Sequence, residues 1–188
     1  MQNNLIKSTM AGMAIALGCC LYLLAPNPIA GSVLFACGLL CVRIYNLNLF
    51  TGKTQFMITN EYPISYYLLT IFGNFLGAVI IAGITFPLVK DVVIPLAATK
   101  AAQNPAIALA KGIGCGMLMS LATYKKSPLW MCLLCVPGFI LAGFNHCIAD
   151  AYYAVAGSTI GVSFVTTIFG NIIGGAILLS NYWNQDEQ

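Results

Sequence analysis

The stretch Gly73-Asn74-Phe75-Leu76-Gly77-Ala78 is repeated in the second half of the chain as Gly170-Asn171-Ile172-Ile173-Gly174-Gly175. Each copy lies inside a long apolar run, and each has the Gly-x-x-x-Gly spacing that lets membrane helices approach closely. We interpret the motif itself as a packing element without chemistry of its own. A motif repeated in both halves of an apolar chain predicts a duplicated membrane fold, and such folds place their sites between the halves.

The composition is that of an integral membrane protein. Of the 188 residues, 60% are hydrophobic and only 7% are charged, and the mean hydropathy is +0.88. A soluble domain of this size carries far more charge. A spanning helix needs about 20 apolar residues, so six spans use about 120 residues and leave no room for a soluble domain. We therefore expect one transmembrane domain covering residues 1–188.

Several classes of partner and chemistry are disfavoured. The net charge is only +3 and the basic residues are scattered, which is not the footprint of a nucleic-acid binder. The pair Cys132-x-x-Cys135 has no histidine cluster beside it and is typical of helix packing, so we expect no metal and no cofactor. Lys7 and the apolar run after it resemble a signal peptide, but Pro26 directly follows Ala25, and we predict a retained first helix.

Apolar runs bounded by helix-breaking residues predict six spans. Their expected bounds are Leu5–Leu24, Ile29–Asn46, Pro63–Leu88, Asn104–Tyr124, Pro128–Phe144 and Val162–Trp183. The basic residues of short loops favour the cytoplasmic side. With the N-terminus inside, that side holds Lys7, Lys53, Lys125 and Lys126, and the outer side holds Lys90 and Lys100. The sequence thus predicts a multi-pass protein of the cell inner (cytoplasmic) membrane with both termini in the cytoplasm.

Three spans in each half make the halves enter the membrane from opposite sides. This predicts an inverted repeat of about residues 1–90 and 100–188. The second and fifth spans are then counterparts, and both are broken, at Asn46–Gly52 and at Asn145–Asp150. Unpaired backbone at membrane depth is tolerated only where protein or a cavity surrounds it. The two facing breaks therefore predict a pathway at the midplane.

Three polar residues at the breaks are candidates for function. His146 is the only histidine, and an ionisable group inside the membrane suggests a functional role. Its alternative is a buried neutral imidazole bonded to a main-chain carbonyl. Thr51 offers a hydroxyl in the opposite break, and Asp150 follows His146 by four residues. Either of these two can instead serve as a helix cap.

Two further charges lie within apparent spans. Lys111 is close enough to a helix end for its side chain to reach the interface. Arg43 is deeper and needs a partner or water. Because Asp150 is the only acid in an apolar span, we predict that Arg43 and Asp150 are paired or share a water.

At these residues the sequence resembles the formate/nitrite transporter family over nearly its whole length. Leu49-Phe50-Thr51-Gly52 resembles the loop after the first half of that family's helix two. Asn145–Asp150 resembles its Glu-His-Ser-x-Ala-Asn break in helix five, and Gly170–Gly175 matches its Gly-Asn-Ile-x-Gly-Gly in helix six. Lys100-x15-Gly116 reproduces the interval between a vestibule Lys and an Asn in helix four, and Gly112–Cys115 resembles the Gly-Ile-x-Cys before that Asn. In this order and with these intervals the motifs are specific.

The resemblance implies an aquaporin-like protomer of six helices in a homopentamer, each protomer having its own pore. It also implies passage of small monovalent anions or their conjugate acids: formate, nitrite, lactate, acetate or hydrosulfide. By matching position, His146 and Thr51 would be the central polar pair, with Asn145 and Asp150 beside them, and Lys100 would attract anions to the outer vestibule. The residues that align with the apolar constrictions are Phe35, Leu39 and Phe139.

The sequence also departs from the family pattern. Asn145 replaces the Glu before the histidine, and Asp150 replaces the Asn four residues after it. Gly116 replaces the Asn of helix four, Asn48 replaces the acid beside the first loop, and Arg43 stands at a usually aliphatic position. These differences leave the fold expectation intact and the substrate open.

Alternative functions differ in how well the residues fit them. An enzyme using His146, Asp150 and Cys147 is disfavoured, because Cys147 directly adjoins its would-be base. A proton pump normally carries a chain of acids across the membrane, and only Asp150 qualifies. A channel for a small neutral solute such as water, ammonia or a small alcohol is the main alternative. Within the anion class, passage as the neutral acid competes with conduction of the bare anion past a cationic His146.

Overall fold

Helices form almost all of the part of the chain that the computed structural model describes, residues 2–179. Their bounds are α1 Gln2–Leu24, α2 Pro28–Ile44, α3 Phe50–Lys53, α4 Ile64–Ala101, α5 Pro105–Thr123, α6 Cys132–Leu141, α7 Cys147–Ala156 and α8 Val162–Leu179. Single 3₁₀ turns follow α3 (Thr54–Phe56) and precede α6 (Leu129–Met131). Residues 2–179 contain no strand. The predicted end of the last span, Trp183, lies outside the described residues.

Within residues 2–179, three helices are long and apolar enough to cross a membrane: α1, α4 and α5. Four others, α2, α6, α7 and α8, are apolar but shorter. The prediction of an all-helical membrane protein is confirmed.

Local sequence sets the starts of α2 and α5. Asn27 and Asn104 precede these helices, and each side-chain oxygen accepts a hydrogen bond from a main-chain N–H of the first turn at 2.9 Å. Pro28 and Pro105 follow as the first helical residues, where a missing N–H costs nothing. Both starts lie within one residue of the predicted bounds.

The helix α4 runs much further than its predicted end at Leu88. It continues to Ala101 although it contains Pro87 and Pro95, each of which removes an N–H donor at a cost of about 3 kcal/mol. Both prolines lie on the exposed side of the helix. The opposite side packs against α7, where Val93 and Ala97 contact Gly157. This packing holds the helix together across both prolines.

The two halves pack by equivalent helix pairs, α1 along α4 and α5 along α8. The repeated glycines lie at these contacts. A Cβ added to Gly77 would lie 2.5 Å from the Met13 nitrogen, and one added to Gly170 would lie 2.8 Å from the Gly112 Cα. Such distances exclude any side chain, so the glycines set the helix separation, as the Gly-x-x-x-Gly interpretation predicts.

Two non-helical stretches separate α2 from α3 and α6 from α7, and they begin in the same way. Asn46 (φ 49°) and Gly143 (φ 69°) are both left-handed. The next N–H groups, of Leu47 and Phe144, donate back to the last turn of the preceding helix at 2.9 Å. This is the Schellman ending of a helix. The interruptions, residues 45–49 and 142–146, end three and four residues earlier than predicted, so that Thr51 and Asp150 fall inside α3 and α7.

Candidate functional site

Asn74 anchors the interruption between α2 and α3. Its Oδ1 accepts a hydrogen bond from the Phe50 N–H at 2.8 Å, at the start of α3. Its Nδ2 donates to the carbonyls of Ser8 at 2.7 Å and Asn48 at 2.8 Å. The side chain is fully buried. One amide on α4 thus satisfies two main-chain groups of the interruption, the Phe50 N–H and the Asn48 carbonyl, and also bonds the Ser8 carbonyl on α1.

Asn171 anchors the other interruption with the same geometry. Its Oδ1 accepts from the Cys147 N–H at 2.8 Å, and its Nδ2 donates to the carbonyls of Gly112 and Asn145 at 2.9 Å. In both halves, the N–H partner lies 24 residues before the asparagine and the carbonyl partner at the break lies 26 residues before it. The repeated motif therefore does more than pack. Its asparagines also anchor the interrupted backbone, a structural role that the packing interpretation did not include.

His146 and Thr51 meet between the two interruptions. The distance between Thr51 Oγ1 and His146 Nε2 is 2.9 Å, and both side chains are at most 2% exposed. His146 is also the N-cap of α7, because its Nδ1 accepts from the Ala149 N–H at 3.2 Å. The alternative of a histidine bonded to a main-chain carbonyl is therefore not what the structure shows, and Asp150 does not cap this helix.

These partners assign the imidazole tautomer. A main-chain N–H can only donate, so Nδ1 of His146 carries no proton in this arrangement. Nε2 must then hold the proton of the neutral ring and donate it to Thr51 Oγ1. The hydroxyl proton of Thr51 is left available for a second partner.

Aromatic rings adjoin this pair. Phe35 and Phe139 pack edge to face, with ring centroids 5.9 Å apart. Phe139 stacks on the His146 ring, with centroids 5.8 Å apart. Leu39 is fully buried on the same helix as Phe35. The three residues expected to form apolar constrictions are thus all in the core, and two of them form a continuous series of ring contacts with the imidazole.

Two cavities approach the Thr51–His146 pair from opposite directions. The Lys100 cavity, about 210 Å³, is lined by Phe35, Phe139, His146 and Lys100 among others. The Arg43 cavity, about 850 Å³, reaches Val42, Leu49 and Gly52. Thr51 and Leu39 line neither cavity and are 0% exposed. A short closed segment therefore separates the cavities.

Lys100 is held by two side chains near His146 in the sequence, those of Asn145 and Asp150. Its Nζ lies 2.7 Å from Asp150 Oδ1 and donates to Asn145 Oδ1 at 3.1 Å. Asn145 in turn donates to Gln103 Oε1 at 2.7 Å. The structure thus brings together Lys100, Asn145, His146 and Asp150, all of which are candidate site residues. The charge of Lys100 is compensated by a carboxylate in the same cavity.

The predicted pairing of Arg43 with Asp150 is wrong. The guanidinium of Arg43 donates to the carbonyls of Ala122 and Ser127, both at 2.7 Å, while Asp150 pairs with Lys100. Carbonyls at the end of a helix lack partners within the helix, and the end of α5 lies within reach of Arg43. Lys111, which the sequence placed near a helix end, lines the Lys100 cavity.

No group of three or more His, Cys, Asp or Glu side chains within the described residues could hold a metal ion.

Comparison with known proteins gives a family and a fold. The model of the formate/nitrite transporter family matches residues 1–183. A solved structure described as an FNT family ion channel is 22% identical, with 97% of this chain and 90% of that chain covered and a TM-score of 0.84. A pentameric formate channel with formate bound is 18% identical, with 93% and 92% covered and a TM-score of 0.74. At these identities the two structures establish the similarity of fold alone. No curated protein matches the sequence.

Proposed function

Since the chain belongs to the formate/nitrite transporter family, we propose that it carries small monovalent anions, or their conjugate weak acids, across a membrane. The substrate class is that of formate, nitrite, lactate, acetate and hydrosulfide. The family and the two similar structures are transporters or channels, and not enzymes.

The Thr51–His146 hydrogen bond is the observation that carries this proposal. It joins the two half-helix regions at 2.9 Å, and it runs from His146 in the lining of the Lys100 cavity to Thr51 in the closed segment. A solute passing from one cavity to the other has to break this bond and replace it. The chemistry of the pair therefore selects what can pass.

The pair matches a neutral weak acid better than a bare anion. Desolvating an anion at the apolar constriction costs several kcal/mol or more, and one imidazole and one hydroxyl cannot replace its hydration shell. A neutral acid offers one acceptor and one donor. The Nε2–H of His146 donates to its carbonyl-type oxygen, and its O–H donates to Thr51 Oγ1. Two hydrogen bonds then replace the one that is broken.

The capping bond keeps His146 neutral in this mechanism. A second ring proton would sit on Nδ1, which accepts from the Ala149 N–H at 3.2 Å. Two N–H donors would then face each other and the cap of α7 would be lost. The proton that neutralises the substrate is therefore supplied at the cavity mouth from water. This argument disfavours conduction past a cationic His146.

Lys100 draws anions towards the outer mouth in this proposal, and Asp150 limits that attraction. The two side chains form an ion pair at 2.7 Å with side-chain exposures of 21% and 8%. An incoming anion has to compete with the carboxylate for the ammonium group. Asp150 and Asn145 thus tune the pathway without occupying its narrowest part.

One observation favours the neutral-solute alternative. Because Asp150 compensates the charge of Lys100, the lining of this mouth keeps a formal charge of only +1, from Lys111. A channel for water, ammonia or a small alcohol would suit such a mouth. Formate should inhibit flux through an acid-carrying pore and leave flux of a neutral solute unchanged.

The same repeat supports a proposed topology. We place six crossings at α1, α2 with α3, α4, α5, α6 with α7, and α8, as one domain with inverted repeats of about residues 1–90 and 100–188. The equal spacing around Asn74 and Asn171 supports this arrangement. We further propose a homopentamer in the cell inner membrane with both termini in the cytoplasm. The similar pentameric structure supports the assembly.

A substrate panel in proteoliposomes tests the proposal. Uptake of radiolabelled formate, nitrite, lactate and acetate is measured at two pH values, with water and glycerol flux as the neutral comparison. We expect acid uptake to be faster at the lower pH and to be abolished by His146→Phe. Folding of the variant is checked by its elution as the same oligomer. Unchanged flux in that variant would remove His146 from the mechanism.

A further inference from the structure

We propose that the Arg43 cavity is an anion-loading site, where the substrate anion is concentrated before it enters the closed segment at Thr51. The inference deepens the proposed function and rests on it. It assigns to Arg43, at a position where the sequence departs from the family pattern, a role in setting anion affinity from one side of the membrane.

The charges of this cavity are strongly unbalanced. Its lining includes four basic residues and a single acid: Lys7, Arg43, Lys53, Lys125 and Glu61. Among the described residues, the ion pair present is Lys100–Asp150, which lies outside this cavity. None of the four basic groups therefore has a described carboxylate within ion-pair distance. The lining therefore carries a formal charge of +3.

The hydroxyl of Tyr62 in the same lining adds no negative charge. Burial raises the pKa of Tyr62 to about 12, with a further contribution from Glu61. The ring therefore stays neutral at physiological pH, and the positive balance of the cavity is preserved.

The opposite cavity is nearly balanced by comparison. The lining of the Lys100 cavity includes two basic residues, Lys100 and Lys111, and one acid, Asp150. The acid is in direct contact with Lys100 at 2.7 Å. An anion therefore gains more from the Arg43 cavity than from the Lys100 cavity.

Arg43 is fixed in place without being neutralised. Two of its donors are taken by the carbonyls of Ala122 and Ser127 at 2.7 Å, which carry no formal charge. A guanidinium has five N–H donors; the two carbonyls take two of them, Cys132 lies beside the group, and Arg43 still lines the cavity. Its planar fork suits a carboxylate or nitrite better than a spherical ion.

Lys53 adds a second charge beside aromatic rings. Its Nζ lies 5.8 Å from the Phe56 ring centroid and 5.3 Å from that of Tyr62. Ring faces orient an ammonium group but leave its charge uncancelled. Gly52, the neighbour of Thr51 on the same short helix, also lines this cavity. Anions concentrated here are thus next to the entrance of the closed segment.

The size of the cavity defines the kind of site. At about 850 Å³ it is far larger than a formate ion, so it concentrates anions by its field instead of enclosing one tightly. Such focusing raises the local concentration and the rate of entry. We therefore expect a lower half-saturation concentration for formate from the Arg43 side than from the Lys100 side.

Sided transport measurements test the inference. Asn3 and Asn4 line the Arg43 cavity, so a tag linked to the N-terminus marks the same side. Vesicles captured by this tag expose the Arg43 cavity, and the remainder expose the other. Radiolabelled formate uptake is then measured in both populations for wild type, Arg43→Gln, Lys53→Gln and Lys90→Gln. Lys90 is exposed on α4 and lines neither cavity, which makes it the matched control.

The expected result is specific to one side. Arg43→Gln and Lys53→Gln should each raise the half-saturation concentration about two- to fivefold from the Arg43 side, with no change from the other side. Lys90→Gln should change neither. The difference should shrink as the ionic strength is raised from about 0.01 M to about 1 M, because the Debye length falls from about 30 Å to about 3 Å. Equal effects of the three variants, or no effect of the first two, would overturn the inference.

A binding measurement separates this inference from the proposed function. Line broadening of ¹³C-formate by the purified protein should be weaker for Arg43→Gln and for Lys53→Gln than for wild type or Lys90→Gln. If wild-type vesicles take up no formate, the proposed function fails while this comparison still decides whether the cavity binds the anion. Identical broadening for all four proteins would refute the loading site.

Discussion

Replacing Asn171 by leucine, which has a similar volume, should strongly destabilise the protein. The fully buried amide makes three hydrogen bonds, at 2.8 Å to the Cys147 N–H and at 2.9 Å to the carbonyls of Gly112 and Asn145. Each such bond contributes about 1 kcal/mol net, and a buried group left without a partner costs about 1–3 kcal/mol. The loss should therefore be about 3 kcal/mol or more.

Thermal unfolding in detergent measures this loss. For a chain of this size, about 1 kcal/mol shifts Tm by roughly 2–4 °C, so the expected decrease is roughly 6–12 °C. Asn74→Leu should give a similar decrease, because Asn74 also makes three main-chain hydrogen bonds. The matched control is Asn104→Ala, which removes a single bond from an exposed helix cap at a cost of about 1 kcal/mol. If Asn171→Leu were no less stable than this control, the anchoring role would be refuted.

Three further predictions concern the site and its packing. Thr51→Val should lower formate flux at least about tenfold, equivalent to about 1.4 kcal/mol, while Thr51→Ser retains most of it; equal flux in both would exclude the hydroxyl from the pathway. Asp150→Asn should lower the formate half-saturation concentration from the Lys100 side about threefold, because it removes one compensating charge; an unchanged or higher value in the uptake assay would contradict this. Gly174→Leu should prevent recovery of a monodisperse protein, because its Cβ would lie within 3.0 Å of the α5 backbone. Gly83→Leu, where nothing lies within 4 Å, is the control and should be recovered normally.

The sequence predicted features that depend on local chemistry or on the repeat. The family resemblance is confirmed by the match over residues 1–183. The starts of α2 and α5 follow from Asn-Pro pairs that cap a helix and open its first turn. The glycines of the repeated motif lie at close helix contacts. In each of these cases, a few adjacent residues contain the information.

The end of α4 was missed because the decisive contact is remote in sequence. Pro87, Lys90 and Asp91 all argue for an end near Leu88. The helix nevertheless continues, because its buried side is packed against α7 from the second half of the chain. Local propensity gave the wrong end because tertiary packing outweighs it.

The partner of Arg43 was missed for a related reason. A search for its counter-ion considers acidic side chains, and Asp150 is the only one within the spans and breaks that the sequence predicts. The actual acceptors are the main-chain carbonyls of Ala122 and Ser127. Every residue has such a carbonyl, so the residue types do not indicate which one is the partner. Asp150 was instead within reach of Lys100, an outcome that depends on how α4 and α7 cross.

The sequence does contain a signal for the anchoring role of Asn74 and Asn171. Asn48 precedes Asn74 and Asn145 precedes Asn171 by the same 26 residues. Equal spacing between an amide in a break and an amide in a packing helix suggests a contact conserved by the duplication. To recognise this signal, one has to consider that an interrupted helix leaves main-chain groups that need hydrogen-bond partners. The glycine pattern indicates close packing and says nothing about those groups.

Simultaneous measurement of formate flux and membrane current across pH distinguishes passage of the neutral acid from conduction of the anion. The proposed mechanism requires that a neutral acid replaces the Thr51–His146 bond on its way between the two cavities. It predicts a flux that rises about tenfold for each unit of falling pH while the acid form is scarce, with no net current. A voltage-driven current with a flux independent of pH would contradict it.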